Sequence, residues 1–126
     1  MTVFDVSALR RLEGDTQSPE FVHSLVGTYR RMLDDRVTRI LEALEQADSD
    51  RALDAAHSLR VSSIMTGLVE IADVATGVAD ALRAADLGSA RKAGSSLRAA
   101  AERAAAALTA YLDEDLHAQE STDSIR

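Results

Sequence analysis

The chain has 126 residues, of which 46% are apolar and 28% are charged, a composition typical of one globular domain with a single core. Its net charge of −7 disfavours binding to a nucleic-acid backbone, and an aromatic content of 3% leaves no platform for stacking bases. The absence of cysteine excludes disulfides and thiolate metal sites. The first residues lack a basic stretch followed by an apolar one, and no apolar run approaches the ~18 residues of a membrane span. We therefore expect a cytoplasmic protein that binds neither membranes nor nucleic acid.

The first half of the chain predicts helices. Abundant Ala, Leu, Arg and Glu with a single Pro favours an all-α fold. A short helix over residues 6–12 is predicted to stop at Gly14. Ser18 as N-cap and Pro19 at the first helical position begin a longer helix that ends near Ala47. Its predicted core-facing stripe consists of Phe21, Leu25, Tyr29, Met32, Arg36, Ile40 and Leu44.

The second half predicts three further helices. Ser49 is expected to cap a helix that runs to about Met65, where Gly67 breaks or bends the chain. The next helix covers residues 68–85, and its apolar face consists of Leu68, Ile71, Val74, Ala75, Val78 and Leu82. After a turn at residues 86–88, an Ala-rich helix is predicted over residues 89–116, with Leu97, Ala101, Ala104, Leu108, Tyr111 and Leu112 facing inward.

Short connections make neighbouring helices antiparallel. The sequence therefore predicts an up-down four-helix bundle with a short N-terminal helix over residues 1–118. A flexible polar tail is expected over residues 119–126.

The most informative run lies in the middle of the third predicted helix. It reads Ala55-Ala56-His57-Ser58-Leu59-Arg60-Val61-Ser62-Ser63. A neutral imidazole is a nucleophile near physiological pH, as few other side chains are. One turn after His57, the guanidinium of Arg60 could neutralise phosphoryl oxygens.

Two faces of this helix compete for the core. If Leu59 and the small residues beside it face inward, His57 is exposed on the opposite side. A bulkier stripe would instead bury His57, and it consists of Leu53, His57, Val61, Ile64 and Leu68. Periodicity alone leaves both orientations open.

The run resembles the histidine-containing phosphotransfer (Hpt) domain, whose usual pattern is Ala-His-x-Leu-Lys-Gly-Ser-Ser followed by a later Gly. The positions in register are His57, Leu59, Ser62, Ser63 and Gly67. Arg60 replaces the usual Lys, and Val61 replaces the usual Gly. The resemblance implies an exposed His57 above an inward Leu59. It also implies a partner-binding surface around the histidine, made of Leu53, Asp54, Val61 and Ile64, with Met65 at its edge.

The resemblance further implies that His57 carries a phosphoryl group to or from the aspartate of a receiver domain, with Arg60 neutralising its charge. The expected partner is a response-regulator receiver domain or a hybrid histidine kinase. The protein is expected to be a monomeric phosphocarrier that needs no cofactor or metal and has no ATP-binding or kinase activity of its own. Val61 places a branched side chain where a Gly would leave room for the receiver.

Two other functions remain open at this stage. A non-catalytic helical adaptor would bind a receiver or another partner through Leu53, Val61 and Ile64, and a structural protein would bury the same patch in a symmetric dimer. The remaining histidines, His23 and His117, lie outside any such pattern, and no His pair has metal-ligand spacing. Ser62 and Ser63 are interpreted as small packing residues that bond back to the helix.

Overall fold

The computed structural model describes the backbone of residues 2–124 and the side chains of residues 2–114. Its helices are α1 (Ser7–Thr16), α2 (Pro19–Glu45), α3 (Ser49–Met65), α4 (Val69–Arg83), α5 (Leu87–Gly94) and α6 (Leu97–Ser124). No strand occurs in residues 2–124. The predicted all-α class is confirmed.

The helices form an antiparallel up-down bundle. α3 packs between α2 and α4, and the pair α5 and α6 occupies the fourth position, where it contacts both α2 and α4. α1 lies across α2 and α3 at the side of the bundle. The four-helix bundle with a short N-terminal helix is therefore confirmed.

Helix starts follow from local capping. The Ser18 hydroxyl accepts a hydrogen bond from the Phe21 N–H at 3.1 Å, and Pro19 opens α2 as predicted. The cap of α3 is Asp48, whose Oδ1 accepts from the Arg51 N–H at 3.2 Å. The prediction that Ser49 caps this helix is wrong, because the carboxylate one residue earlier satisfies the free N–H groups.

Two predicted breaks differ from the structure. Gly14 lies inside α1, which ends only where Gln17 adopts a left-handed φ of 54° and its N–H bonds the Glu13 carbonyl. The predicted helix over residues 89–116 is two helices, α5 and α6, separated at Ser95 and Ser96. The Ser95 hydroxyl donates to the Lys92 carbonyl at 2.6 Å, which closes the last turn of α5.

The end of α6 also differs from the prediction. α6 continues to Ser124 rather than stopping near residue 116, so most of the predicted tail is helical. Residues 125 and 126 lie outside the described residues. The flexibility of the segment 119–126 stays a prediction.

The core-facing side of α2 is rotated by about one residue from the predicted stripe. Phe21 and Met32 were expected inside but are 52% and 43% exposed. Leu25 and Arg36 are only half-buried, whereas Tyr29, Ile40 and Leu44 are buried as predicted. The positions that fill the core instead are Val22, Val26, Leu33 and Val37. Apolar residues surround much of this helix because α2 contacts neighbours on several sides.

The predicted inner faces of the last two long helices are largely confirmed. In α4, Ile71, Ala75, Val78 and Leu82 are buried together with Leu68, and Val74 is half-buried. In α6, Leu97, Ala101, Ala104 and Leu108 are buried, while Tyr111 and Leu112 are half-buried. Across residues 2–124, the helices lack the continuous apolar length that a bilayer-spanning segment needs.

Candidate functional site

His57 lies in the middle of α3 on its solvent side. Its side chain is exposed, whereas Leu59, two residues later, is fully buried. Ala52 and Ala56 are also fully buried, and such small side chains let α3 approach its neighbours closely. The orientation implied by the resemblance is thus confirmed, and the alternative stripe that would bury His57 is wrong.

The imidazole of His57 has no bonding partner among the described side chains. Within the described part of the chain, it makes no hydrogen bond and no ion pair. Neither ring nitrogen is therefore engaged by a described residue of the bundle. An accessible imidazole whose nitrogens are free can act as a nucleophile toward a group that another molecule brings to this face.

The helix places four of the sequence-predicted residues within one turn of His57. Asp54 is exposed and Leu53 half-buried on the preceding turn, while Arg60 is half-buried and Val61 is 42% exposed on the following turn. Ile64 lies one turn beyond them. It is 54% exposed, as is Met65. Charged and apolar side chains thus share the surface around the histidine.

Val61 lies one turn after His57 on the exposed side of α3. Positions four residues apart on a helix lie one above the other, so its exposed branched side chain stands beside the imidazole. α3 continues without interruption through this position to Met65. A partner that reaches His57 from the C-terminal side of α3 passes Val61.

Two serines after His57 fasten α3 to α2. The Ser62 hydroxyl donates to the Ser58 carbonyl at 2.9 Å and accepts from Nη1 of Arg36 at 2.7 Å. The Ser63 hydroxyl is buried and lies 2.6 Å from the Tyr29 hydroxyl. The predicted back-bond is confirmed for Ser62. It is wrong for Ser63, whose hydroxyl pairs with Tyr29 of α2 instead of its own helix.

Sequence reasoning missed the contribution of Arg36 and Tyr29. The Arg36 guanidinium lies 5.9 Å from the centre of the Tyr29 ring and spans the α2–α3 boundary. Burial raises the pKa of the Tyr29 hydroxyl, so it stays protonated and able to donate. The available signal was Arg36 itself, a cation inside an otherwise apolar stripe.

Gly67 follows the C-terminal end of α3 and bonds the N-terminal segment that precedes α1. Its φ is +78°, and its carbonyl accepts from the Asp5 N–H at 2.7 Å. A Cβ at Gly67 would collide with the Asp5 carbonyl oxygen. The glycine therefore lets α1 lie beside Ile64 and Met65, as its contacts with α3 require.

The other histidines do not join this site. His23 is half-buried on α2, and the side chain of His117 lies outside the described side chains. Among the side chains that the structure describes, no group of three or more His, Cys, Asp or Glu residues could hold a metal ion.

Comparison with known proteins gives one match. Residues 24–118 match the family model of the Hpt domain. The matched range begins inside α2 and includes the whole of α3, so it contains His57 but not α1. No curated protein and no solved structure matches the chain significantly.

Proposed function

The chain belongs to the Hpt domain family, which acts in phosphorelays, and we propose that His57 is the residue that carries its phosphoryl group. The observation that carries this proposal is the exposure of His57, without an intramolecular partner in the described residues, inside the range that matches the Hpt domain. The proposed partner is the receiver domain of a response regulator or of a hybrid histidine kinase. The proposal places this exchange in the cytoplasm and treats the bundle as a monomer.

The proposed step is an in-line displacement at phosphorus. The lone pair of one unprotonated imidazole nitrogen attacks the aspartyl phosphate of the receiver, forming a P–N bond while the P–O bond to the aspartate breaks. The aspartate leaves as a carboxylate, and the proton on the other ring nitrogen stays there or passes to water. The reverse reaction returns the group to a receiver aspartate.

Such a step needs positioning and charge neutralisation more than covalent help from other side chains. The receiver supplies Mg²⁺ and a lysine, as the family resemblance implies. Arg60 lies one turn after His57, and its guanidinium can hydrogen-bond two phosphoryl oxygens at once. The bundle therefore acts as a phosphocarrier, without ATP-binding or kinase activity of its own.

A second function is favoured by one specific observation. Val61 and Ile64 are 42% and 54% exposed next to His57, and together with the half-buried Leu53 they offer an apolar contact surface. A helical adaptor that binds a receiver without accepting its phosphate would use the same surface.

The two functions are separated by phosphoryl transfer from purified receiver domains phosphorylated on aspartate with acetyl phosphate. The wild-type bundle is expected to acquire acid-labile phosphate, and His57→Gln is expected to acquire none. The unfolding free energy of His57→Gln should change by no more than about 0.5 kcal/mol, since the side chain is exposed and unpaired. Receivers that bind the wild-type bundle without phosphorylating it would favour the adaptor.

A further inference from the structure

An open groove between α2 and α3 runs alongside the His57 surface. It has a volume of about 370 Å³, and its lining includes Arg36, Arg39 and Arg51. We call this cavity the arginine groove, after these three residues. Asp54 and Ser58 also line it, and both adjoin His57 on α3. The groove and the proposed phosphoacceptor therefore belong to one continuous surface.

Within the part of the chain that the structure describes, the three arginines of this groove are not neutralised by ion pairs. Arg36 donates to the Ser62 hydroxyl and Arg51 to the Gln46 amide oxygen at 3.4 Å, and both acceptors are uncharged. Among the described residues, no carboxylate forms an ion pair with any of the three arginines. Outside the groove, three arginines of the described chain form ion pairs, namely Arg83 with Asp80, Arg98 with Asp34 and Arg103 with Glu70.

This local excess of positive charge contrasts with the negative net charge of the whole chain. Three guanidiniums face one carboxylate, that of Asp54, in a protein whose net charge is −7. An acidic partner is repelled by most of the surface and attracted here. Charged patches of this kind raise association rates and reject wrong partners more than they raise affinity.

We propose that the arginine groove is a docking site for carboxylate side chains on the receiver domain that exchanges phosphoryl groups with His57. The inference rests on the proposed function and names what selects the partner. A guanidinium fork matches a carboxylate. A receiver with Asp or Glu on the part of its surface that covers the groove, outside its Mg²⁺ and lysine pocket, is the preferred partner, and a receiver with Lys or Arg on that part is disfavoured.

The size of a protein interface favours a receiver as occupant over a small anion. Arg51 precedes His57 by six residues, which is roughly 9 Å along the helix axis. A standard interface covers about 800 Å² on each partner, a patch with a radius of roughly 16 Å. A domain that seats its aspartate on His57 is therefore large enough to reach the groove as well.

The test compares Arg39→Glu/Arg51→Glu with the control Arg31→Glu/Arg83→Glu. Arg31 and Arg83 are exposed residues of α2 and α4 outside the groove, so the control makes the same change in net charge elsewhere. Purified receiver domains phosphorylated with acetyl phosphate serve as probes. We measure the second-order transfer rate at low receiver concentration and the transfer rate at saturating receiver concentration. Both are measured as a function of salt concentration. Circular dichroism checks that each variant is folded.

We expect the groove variant to lose on the order of tenfold in the second-order rate with acidic receivers, because electrostatic steering acts on association. The transfer rate of the groove variant at saturating receiver concentration should change less than about twofold. The salt dependence of its second-order rate should weaken. Arg39→Gln/Arg51→Gln should give an intermediate loss, and the control should behave as wild type. Equal losses in the groove variant and the control would overturn the proposal, since net charge alone would then explain them. A groove variant that transfers as fast as wild type would also overturn it, while leaving the proposed function intact.

Two further results separate the groove from the role of His57. If no receiver phosphorylates the wild-type bundle but receivers bind it in a salt-sensitive way that Arg39→Glu/Arg51→Glu abolishes, the groove stands and the phosphocarrier function falls. If receivers neither bind nor transfer, both fall. Inorganic phosphate is the last probe. Phosphate binding tighter than about 1 mM that the groove variant loses would identify a small-anion site and overturn the docking proposal.

Discussion

The Tyr29 hydroxyl of α2 and the Ser63 hydroxyl of α3 lie 2.6 Å apart in the core. Ser63 follows His57 by six residues along the chain. The Tyr29 and Ser63 side chains are buried, with 5% and 0% of their surface exposed. Ser63 lies on the same side of α3 as the fully buried Ala56 and Leu59, and His57 lies on the exposed side. The hydrogen bond therefore adds a polar contact to the packing that holds His57 outward.

Tyr29→Phe is expected to lower the unfolding free energy by about 1–3 kcal/mol, because it leaves the buried Ser63 hydroxyl without its partner. Chemical denaturation measures the change. Ser63→Ala in the Tyr29→Phe background should cost less than it does in wild type, by about 1 kcal/mol. Strictly additive losses would show that the two hydroxyls are not coupled.

Substitution of Gly67 and of Gly14 by Ala is expected to change the unfolding free energy in opposite directions. Gly67→Ala should lower the unfolding free energy by more than about 1–2 kcal/mol, because its φ of +78° disfavours a side chain and the new Cβ meets the Asp5 carbonyl. Gly14→Ala lies within α1 with nothing near the new Cβ, so it should stabilise by about 0.5–1 kcal/mol. Thermal or chemical denaturation checks both. Equal effects at the two positions would contradict the contact between Gly67 and the N-terminal segment.

The Glu70–Arg103 ion pair predicts a specific loss of stability in acid. Oε1 of Glu70 lies 2.8 Å from Nε of Arg103, and these hydrogen bonds hold the pKa of Glu70 below its ordinary value of 4.5. A carboxyl group whose pKa is lower in the folded state adds stability above its unfolded pKa. That stability is lost as the pH falls through the folded value.

We therefore expect the unfolding free energy of wild type to fall as the pH drops below about 4.5, the ordinary pKa of Glu70. Glu70→Gln should remove part of that dependence, and denaturation curves at a series of pH values measure it. A Glu70→Gln variant with the full acid dependence of wild type would assign that dependence to other carboxylates.

The sequence predicts most of the fold because its strongest local signals agree with the packing. Ser18 and Pro19 start α2 as expected, and Gly67 breaks the chain as expected. The core face of α2 was misassigned because apolar residues at helical spacing occur on two adjacent faces. Only contacts with the other helices decide that Val26 and Leu33 are buried while Phe21 and Met32 are not.

The site was predicted less completely than the fold. The exposure of His57 required the family resemblance, since periodicity was equally compatible with its burial. The groove formed by Arg36, Arg39 and Arg51 could not be read from the chain, because it joins residues of two helices whose relative rotation is set by tertiary contacts. The break at Ser95 was missed because Ala-rich sequence on both sides favours one continuous helix.

Val61 is expected to limit phosphoryl transfer sterically. Val61→Gly should speed transfer from phosphorylated receivers and lower the unfolding free energy by roughly 0.5–1 kcal/mol, because Gly is a poor helix former. Val61→Ala is the matched control, since it trims the same side chain without the glycine penalty. It should speed transfer with a smaller loss of stability. Slower transfer by both folded variants would show that Val61 is a docking contact rather than a barrier.

The most direct measurement is the location of the phosphate after transfer from a phosphorylated receiver domain. Trypsin cleavage after Arg51 and Arg60 releases residues 52–60, a peptide whose one histidine is His57, while His23 and His117 lie in other peptides. Mass spectrometry at neutral pH is expected to find the added phosphate on residues 52–60, and brief acid treatment is expected to remove it. Phosphate on the peptide that carries His23 or His117, or acid-stable phosphate on Ser58, would contradict the assignment of His57 as the phosphoacceptor.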